Sequence, residues 1–190
     1  NTVRFLRLVS DERGLGIGLR HISLSTCGLV DGIDRLALEG MPVTLSVSLH
    51  APTDALRSEI MPINKKWNIA QLLSATVRYF EKTGRRISFE YTLIAGKNDT
   101  AEGAAQLVQT MKKHIGRKMP IHINLIPVNP ISERDFASSD MANVRRFAAI
   151  LEKNGMTATV RRTLGPDINA SCGQLRNREN QIRKNILSST

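Results

Sequence analysis

The segment GPDINASCGQL, residues 165–175, contains Cys172, one of only two cysteines in 190 residues. A lone cysteine is most often a small buried hydrophobe. This one stands in a polar, glycine-flanked stretch with no periodic apolar face, directly after the arginine-bearing run MTATVRRT. Arg161 and Arg162 favour the thiolate, the form of the side chain that attacks carbon or sulfur. Two other positions could do chemistry on local grounds. His50 closes the strand-like run VTLSVSLH, where a histidine either caps backbone groups or meets a ligand. Asn129 lies between an apolar run and Pro130, where its amide can cap the strand or hold a polar ligand.

Other chemistries lack their residues. Two cysteines cannot supply a cysteine-rich zinc or iron–sulfur site from this chain alone, and the four histidines show no paired ligand spacing. No metal ligands are therefore assigned. The nearest approach to a glycine-rich phosphate loop is GLGIGL at 14–19. It precedes a strand instead of following one, so it reads as a helix-to-strand connection.

The elements that must position these residues alternate between short apolar strands and longer amphipathic helices. Strands are expected at HISLST (21–26), VTLSVSLH (43–50), within ISFEYTLIAG (87–96), at IHINLIPV (121–128) and at MTATVRRT (156–163). Helices are expected from Asn68, a capping residue, to Gly84, a stop. Two more run from about Thr100 to His114 and from near Ser139 to Gly155. An amphipathic pattern already runs through Val3, Phe5, Leu6, Leu8 and Val9, and a short basic helix or frayed tail fits residues 178–187. Strand, helix, strand is the signature of right-handed βαβ units on a parallel sheet. Four strand ends in succession carry small polar or amide residues, and in parallel α/β folds ligands sit at that edge. The pattern favours a barrel-like arc, with the last strand at an edge.

Composition narrows the function classes. The formal charge is +10 and the pI about 10.2, which draws phosphate polyanions by long-range attraction and counterion release. Aromatic residues make up only 4% of the chain, too few for a base-stacking platform of the single-strand-binding type. No apolar run approaches a membrane span, and the N-terminal residues lack the pattern of a secretory signal. Two widely separated cysteines make no disulfide framework, so a cytoplasmic location is expected.

Five segments together resemble the RlmN/Cfr family of radical S-adenosylmethionine enzymes, which methylate an adenine base in RNA. They are HISLSTCGLVDGI (21–33), TLSVSLHAP (44–52), EYTLIAGKND (90–99), IHINLIPVNP (121–130) and VRRTLGPDINASCGQL (160–175). The resemblance lies closer to RlmN. It implies methylation of carbon 2 of an adenine in 23S rRNA, and in some tRNA, with Cys172 as the residue that carries the methyl group. It also implies S-adenosylmethionine contacts at Ser25, at Ser48-Leu49-His50 and at Asn129. Cys27 receives no role.

The same resemblance implies what is missing. The family's C-x-x-x-C-x-x-C motif for a 4Fe-4S cluster, its Gly-Glu-Pro strand and its second catalytic cysteine have no counterpart in these residues. The chain is therefore expected to be the later part of a parent protein's catalytic domain, an incomplete parallel TIM-like barrel. Residues 1–164 would form the partial barrel, and 165–190 the cysteine loop and basic tail. Such a piece is expected to be inactive alone and open to self-association at its unpaired sheet edge. Two rival readings stay open: a non-enzymatic RNA-binding module, and a thiol enzyme pairing Cys172 with His50.

Overall fold

The computed structural model describes residues 1–128 and 136–161, with Asn129, Arg162, Cys172 and the tail outside that range. Five strands form one all-parallel sheet in the order β1-β2-β3-β4-β5: Ser23–Thr26, Thr44–Ser48, Ile87–Leu93, His122–Pro127 and Thr157–Val160. Each new strand adds on the same side of the last. With right-handed crossovers that order keeps every connecting helix on one face, as in a barrel; an open doubly wound sheet reverses direction midway. The fold is an incomplete parallel α/β barrel, and β5 is its largely exposed edge strand.

The helices are α1 (Thr2–Ser10), α2 (Val30–Leu38), α3 (Asp54–Ile60), α4 (Ile69–Thr83), α5 (Ala101–His114) and α6 (Met141–Lys153). The signals at both ends of α4 act as the sequence suggested. Asn68 and Gln71 form a reciprocal capping box, and Gly84 closes the helix at φ 63°, a left-handed conformation that suits glycine. Thr100 caps α5 through the amide of Gly103.

Alternation along the strands builds the core. Leu45, Val47 and Leu49 from β2 and its end, Phe89, Tyr91 and Leu93 from β3, and Ile123 and Leu125 from β4 are all essentially inaccessible. They meet Leu72, Leu73, Leu107, Met111, Val144, Phe147 and Leu151 from α4, α5 and α6 in one cluster.

Two helices, α2 and α3, were not anticipated from the sequence. Both are short, and α3 follows a strand end and Pro52 with too few residues to show a period. On α1 only Leu6 and Val9 are buried, while Phe5 and Leu8 are about 60% exposed. The connection 14–19 leads from α1 through a 3-10 turn at Leu19–His21 into β1, as its sequence context implied. Among the described residues no helix is long and apolar enough to cross a membrane.

Candidate functional site

The face of the sheet turned away from the helices is polar. Register places Ser25 beside Ser46, Ser46 beside Ser88, and Ser48, Glu90, Asn124 and Thr159 in one row across four strands. Alternation alone dictates this: the residues between them are the leucines, valines and aromatics of the core. Ser46, Ser88 and His122 are nonetheless buried, so the sheet curls over this face as a barrel lumen does.

Short polar contacts link the lumen residues of β3, β4 and β5 in a ring. Ser88 Oγ donates to Glu90 Oε1 at 3.3 Å and meets His122 Nδ1 at 3.0 Å. His122 Nε2 lies 3.3 Å from Thr159 Oγ1, which donates to Asn124 Oδ1 at 3.2 Å. Asn124 Nδ2 returns to Glu90 Oε2 at 2.8 Å. Burial, and then the nearby Arg86 guanidinium, lower the pKa of His122, which favours a neutral ring. A neutral imidazole carrying its proton on Nδ1 feeds Ser88, whose own proton then reaches Glu90. Thr159 is left with one proton for either Nε2 or Asn124. Glu90 is thus held from both oxygens without a cationic partner among the described residues.

At the C-terminal mouth of the strands, Ser48, Leu49 and His50 come together with Thr26-Cys27-Gly28 from the end of β1. The group that joins them is Arg57, on α3. Its side chain is completely buried. Nε donates to the Leu49 carbonyl at 3.1 Å, and Nη2 to the carbonyls of Cys27 at 2.9 Å and Ser48 at 3.0 Å. Nη1 donates to Asn64 Oδ1 at 2.9 Å. Asn64 is held in turn by Asp54 and Ser58, and Asp54 Oδ1 also accepts from the Ile69 amide. Burial lowers the Arg57 pKa, against the raising influence of Cys27 and Asp54. A glycine is required beside it. Gly28 sits at φ 108°, and a Cβ there would come within 3.1 Å of both Arg57 Nη2 and Leu72.

His50 is the one described non-glycine residue with positive φ, at 59°. Such backbone strain persists only where neighbours over-determine it. Here the amides of Leu49 and His50 both donate to the Glu90 carbonyl, at 3.0 and 3.3 Å. The His50 carbonyl accepts from Asn98 Nδ2 at 2.8 Å, and His50 Nδ1 accepts from the Thr92 amide at 3.1 Å. That last bond fixes the tautomer, leaving the proton on Nε2. Burial, and secondarily the Arg57 charge, hold the His50 pKa down at about 4, so the ring is neutral at pH 7. Asn98, itself buried, also bonds the Ile94 amide and the Thr92 carbonyl, at 2.7 Å each.

The structure therefore brings Ser48, Leu49 and His50 to one mouth, with Ser25 on the neighbouring edge strand. Ser25 is exposed, while Ser48 and His50 are half buried. Leu49 is different. Its side chain lies in the core and its carbonyl is taken by Arg57, so the role left to it is that of a spacer with fixed backbone. Asn129 and Cys172 lie outside the described residues. Cys27 is an exposed free thiol. Sequence reading missed Arg57, whose helix looks like an ordinary exposed turn. It also missed Glu90, although a single carboxylate within ISFEYTL was a visible signal.

Among the described residues no group of three histidine, cysteine or carboxylate side chains could hold a metal. With two cysteines in all, the chain does not fit a cluster held by three thiolates. The strand ends present small polar side chains, Ser25 and Ser48, beside the neutral His50 ring. A groove of ≈ 430 Å³ runs along the β1 edge beside α1, lined by Leu24, Leu29, Ile33 and Leu36 and also by Ser25 and Thr26, so it adjoins the mouth at the end of β1.

A curled parallel sheet with helices outside and polar residues at the strand mouths defines a partial parallel α/β barrel, and solved structures place it in the radical S-adenosylmethionine class. Comparison supports that class. A radical SAM methyltransferase from Sphaerobacter thermophilus superposes with a TM-score of 0.84 and 44% identity, covering 91% of this chain and 49% of that one. A domain of pyruvate-formate lyase-activating enzyme from Bacteroides vulgatus shares the fold alone, with a TM-score of 0.50 at 15% identity. No protein-family model matches the chain. Among curated proteins, a probable dual-specificity RNA methyltransferase RlmN from Desulforamulus reducens is 51% identical over 178 residues, 94% of this chain. Its counterpart in Clostridium novyi is 46% identical over 185 residues. Over the span they share, the chain is a homologue of the RlmN proteins, and the RlmN/Cfr resemblance read from its motifs holds. The chain spans about half the length of the curated relatives it matches.

Proposed function

We propose that the whole protein is a radical S-adenosylmethionine RNA methyltransferase, acting on carbon 2 of an adenine in 23S rRNA and in tRNA. The observation that carries this reading is the close similarity to proteins named RlmN along nearly all of these residues. Ser25, Ser48, the His50 segment and Asn129 bind S-adenosylmethionine, and residues 165–190 form the loop that presents Cys172. The Cys172 thiolate attacks the sulfonium methyl carbon. An S–CH3 bond forms on the cysteine as the methyl–sulfonium bond breaks, and S-adenosylhomocysteine leaves. An iron–sulfur cluster, where one is bound, supplies one-electron chemistry for a second S-adenosylmethionine; its thiolate ligands are not in this chain, so these residues alone would not carry out that radical step.

Within this reading, Arg57 and Asn98 hold the backbone of residues 48–50 in one conformation, so the site is formed before its ligand arrives. The neutral His50 offers an Nε2–H donor without adding positive charge next to a cationic sulfonium. The test is mass spectrometry of the whole protein after incubation with S-adenosylmethionine and before RNA is added. One methyl group on Cys172 is expected, and Cys172→Ala should lose RNA methylation while keeping RNA affinity. A methyl group on another residue, or full activity in Cys172→Ala, refutes the assignment.

A further inference from the structure

Positive charge is not spread evenly over this fold. Because every strand is parallel, the loops that enter the strands share one end of the sheet, opposite the mouth that carries Ser48 and His50. Arg20 precedes β1, Arg85 and Arg86 precede β3, and Arg117 and Lys118 lead into β4. All but the half-buried Arg85 are exposed. Arg20, Arg85 and Arg86 are neighbours across β1 to β3, and the parallel topology brings Arg117 and Lys118 to the same end at the entrance to β4. Arg85 Nη2 reaches the Arg20 carbonyl at 3.4 Å, the Arg86 carbonyl accepts from the Leu45 amide, and Arg86 lies near enough to His122 to depress its titration.

Two ordinary explanations for such a cluster fail. Cations at helix C-termini answer the helix dipole, and Lys82, Lys112, Lys113 and Lys153 in the last turns of α4, α5 and α6 are accounted for that way. Arg85, Arg86, Arg117 and Lys118 lie past the last turns of α4 and α5, where the dipole's effect has fallen off, and Arg20 sits in a 3-10 turn of only three residues. Ion pairing does not account for them either. The salt bridges among the described residues are Arg7–Glu39, Arg13–Asp11, Arg78–Asp34 and Lys97–Glu59, and none involves this end's loop cations. Arg7 claims Glu39, the carboxylate beside the β2 entrance. Packed like charges without a counterion raise the energy of the folded chain, so folding alone does not call for them.

We propose that this underside of the barrel, formed by Arg20, Arg85, Arg86, Arg117 and Lys118, is a second RNA-contact surface that binds the phosphate backbone of a folded RNA. The inference rests on the reading that RNA is the substrate, and it adds where on the molecule RNA is held. β3 alone is 7 residues long, so mouth and underside are separated by about 23 Å of strand before loops are counted. A short single strand offering only the target base engages the mouth. A bulky folded RNA reaches both ends. The contacts are to phosphate, so they add affinity and orientation without reading sequence.

The experiment compares full-length wild type with the triple variant Arg86→Glu/Arg117→Glu/Lys118→Glu, at three exposed positions. Fluorescence anisotropy follows two probes across a salt series, a folded RNA domain and a short single-stranded oligonucleotide containing the target adenine. Circular dichroism melts establish that the variant is folded, and Arg86→Gln/Arg117→Gln/Lys118→Gln serves if it is not. For the folded RNA, affinity should fall at least tenfold at low salt. The log–log salt slope should flatten by roughly 2 units, since each phosphate contact contributes about 0.7–0.9. Affinity for the short oligonucleotide should change less than about twofold. An unchanged slope and affinity for folded RNA overturns the proposal while leaving the functional reading intact. Wild type that binds neither RNA refutes the functional reading itself. Vesicles of phosphatidylserine that lose affinity for the variant while folded RNA does not would assign the underside to an anionic membrane surface and also overturn the proposal.

Discussion

Replacing Arg57 by Met should destabilise the protein by about 3 kcal/mol, mostly through main-chain carbonyls that lose their donor. Methionine keeps the packing of the aliphatic stem but ends near the position of Nε, so the change removes the guanidinium and leaves its volume unfilled. In its place stay the carbonyls of Cys27, Ser48 and Leu49 and the Oδ1 of Asn64, all deprived of donors at 2.9–3.1 Å. Each buried acceptor left unmet costs about 1 kcal/mol or more, and breaking a buried charged network costs roughly 3–5 kcal/mol. Relief from desolvating the guanidinium opposes this, which places the net near the lower end. For a chain of this size that corresponds to a fall in Tm of roughly 6–12 °C. Arg57→Lys should recover only part of the loss, because an ammonium cannot span three carbonyls as a planar fork does. Thermal melts monitored by circular dichroism measure the first effect. Equilibrium binding of S-adenosylmethionine should weaken in parallel, because residues 48–50 lose their fixed backbone. A buried ion pair can often be replaced by apolar groups without loss, since both partners go. Here three partners are main-chain carbonyls and the fourth is the Asn64 amide oxygen, and all stay behind. Arg57→Met within 1 kcal/mol of wild type, or more stable than it, would show that desolvation outweighs these bonds and refute the reasoning.

His50 is held neutral with a pKa of about 4, below its unfolded value of 6.5. The unfolded chain therefore binds the extra proton in that window, and stability present above pH 6.5 is lost as pH falls toward 4, by at most about 3 kcal/mol. His122 contributes in the same direction. Urea midpoints at pH 7.5 and 4.5 should differ more for wild type than for His50→Asn, a residue that tolerates positive φ; equal pH dependence would contradict the assignment. Asn98→Ala removes the bonds to Ile94, Thr92 and His50 and should cost roughly 2–4 kcal/mol. Hydrogen exchange at the Ile94 amide should rise sharply in that variant. Asn68→Ala breaks the capping box and should cost about 1 kcal/mol in denaturant titration, without changing ligand affinity.

What the sequence could reveal depends on how far each force reaches along the chain. Strand alternation is a two-residue signal, so it located β1 to β5 and already implied that Ser46, Ser48 and Glu90 share a face opposite Leu45, Val47 and Phe89. Helix ends are three- and four-residue signals, and Asn68 and Gly84 declared theirs. The 7-residue α3 carries too little pattern to be seen, and it is the helix that matters most at the mouth. Within ALRSEI nothing distinguishes Arg57 from a solvated surface arginine. Its burial depends on carbonyls 8 and 30 positions away, which become neighbours only after β1 and β2 pair. The lumen ring is hidden for the same reason, since its members lie 34 to 37 positions apart across strands wherever they bond between strands. A motif such as SLHAP marks where a ligand meets the chain. The groups that stiffen that motif are chosen by the fold, from residues that need carry no motif of their own, and they come into view only when the strands are set side by side.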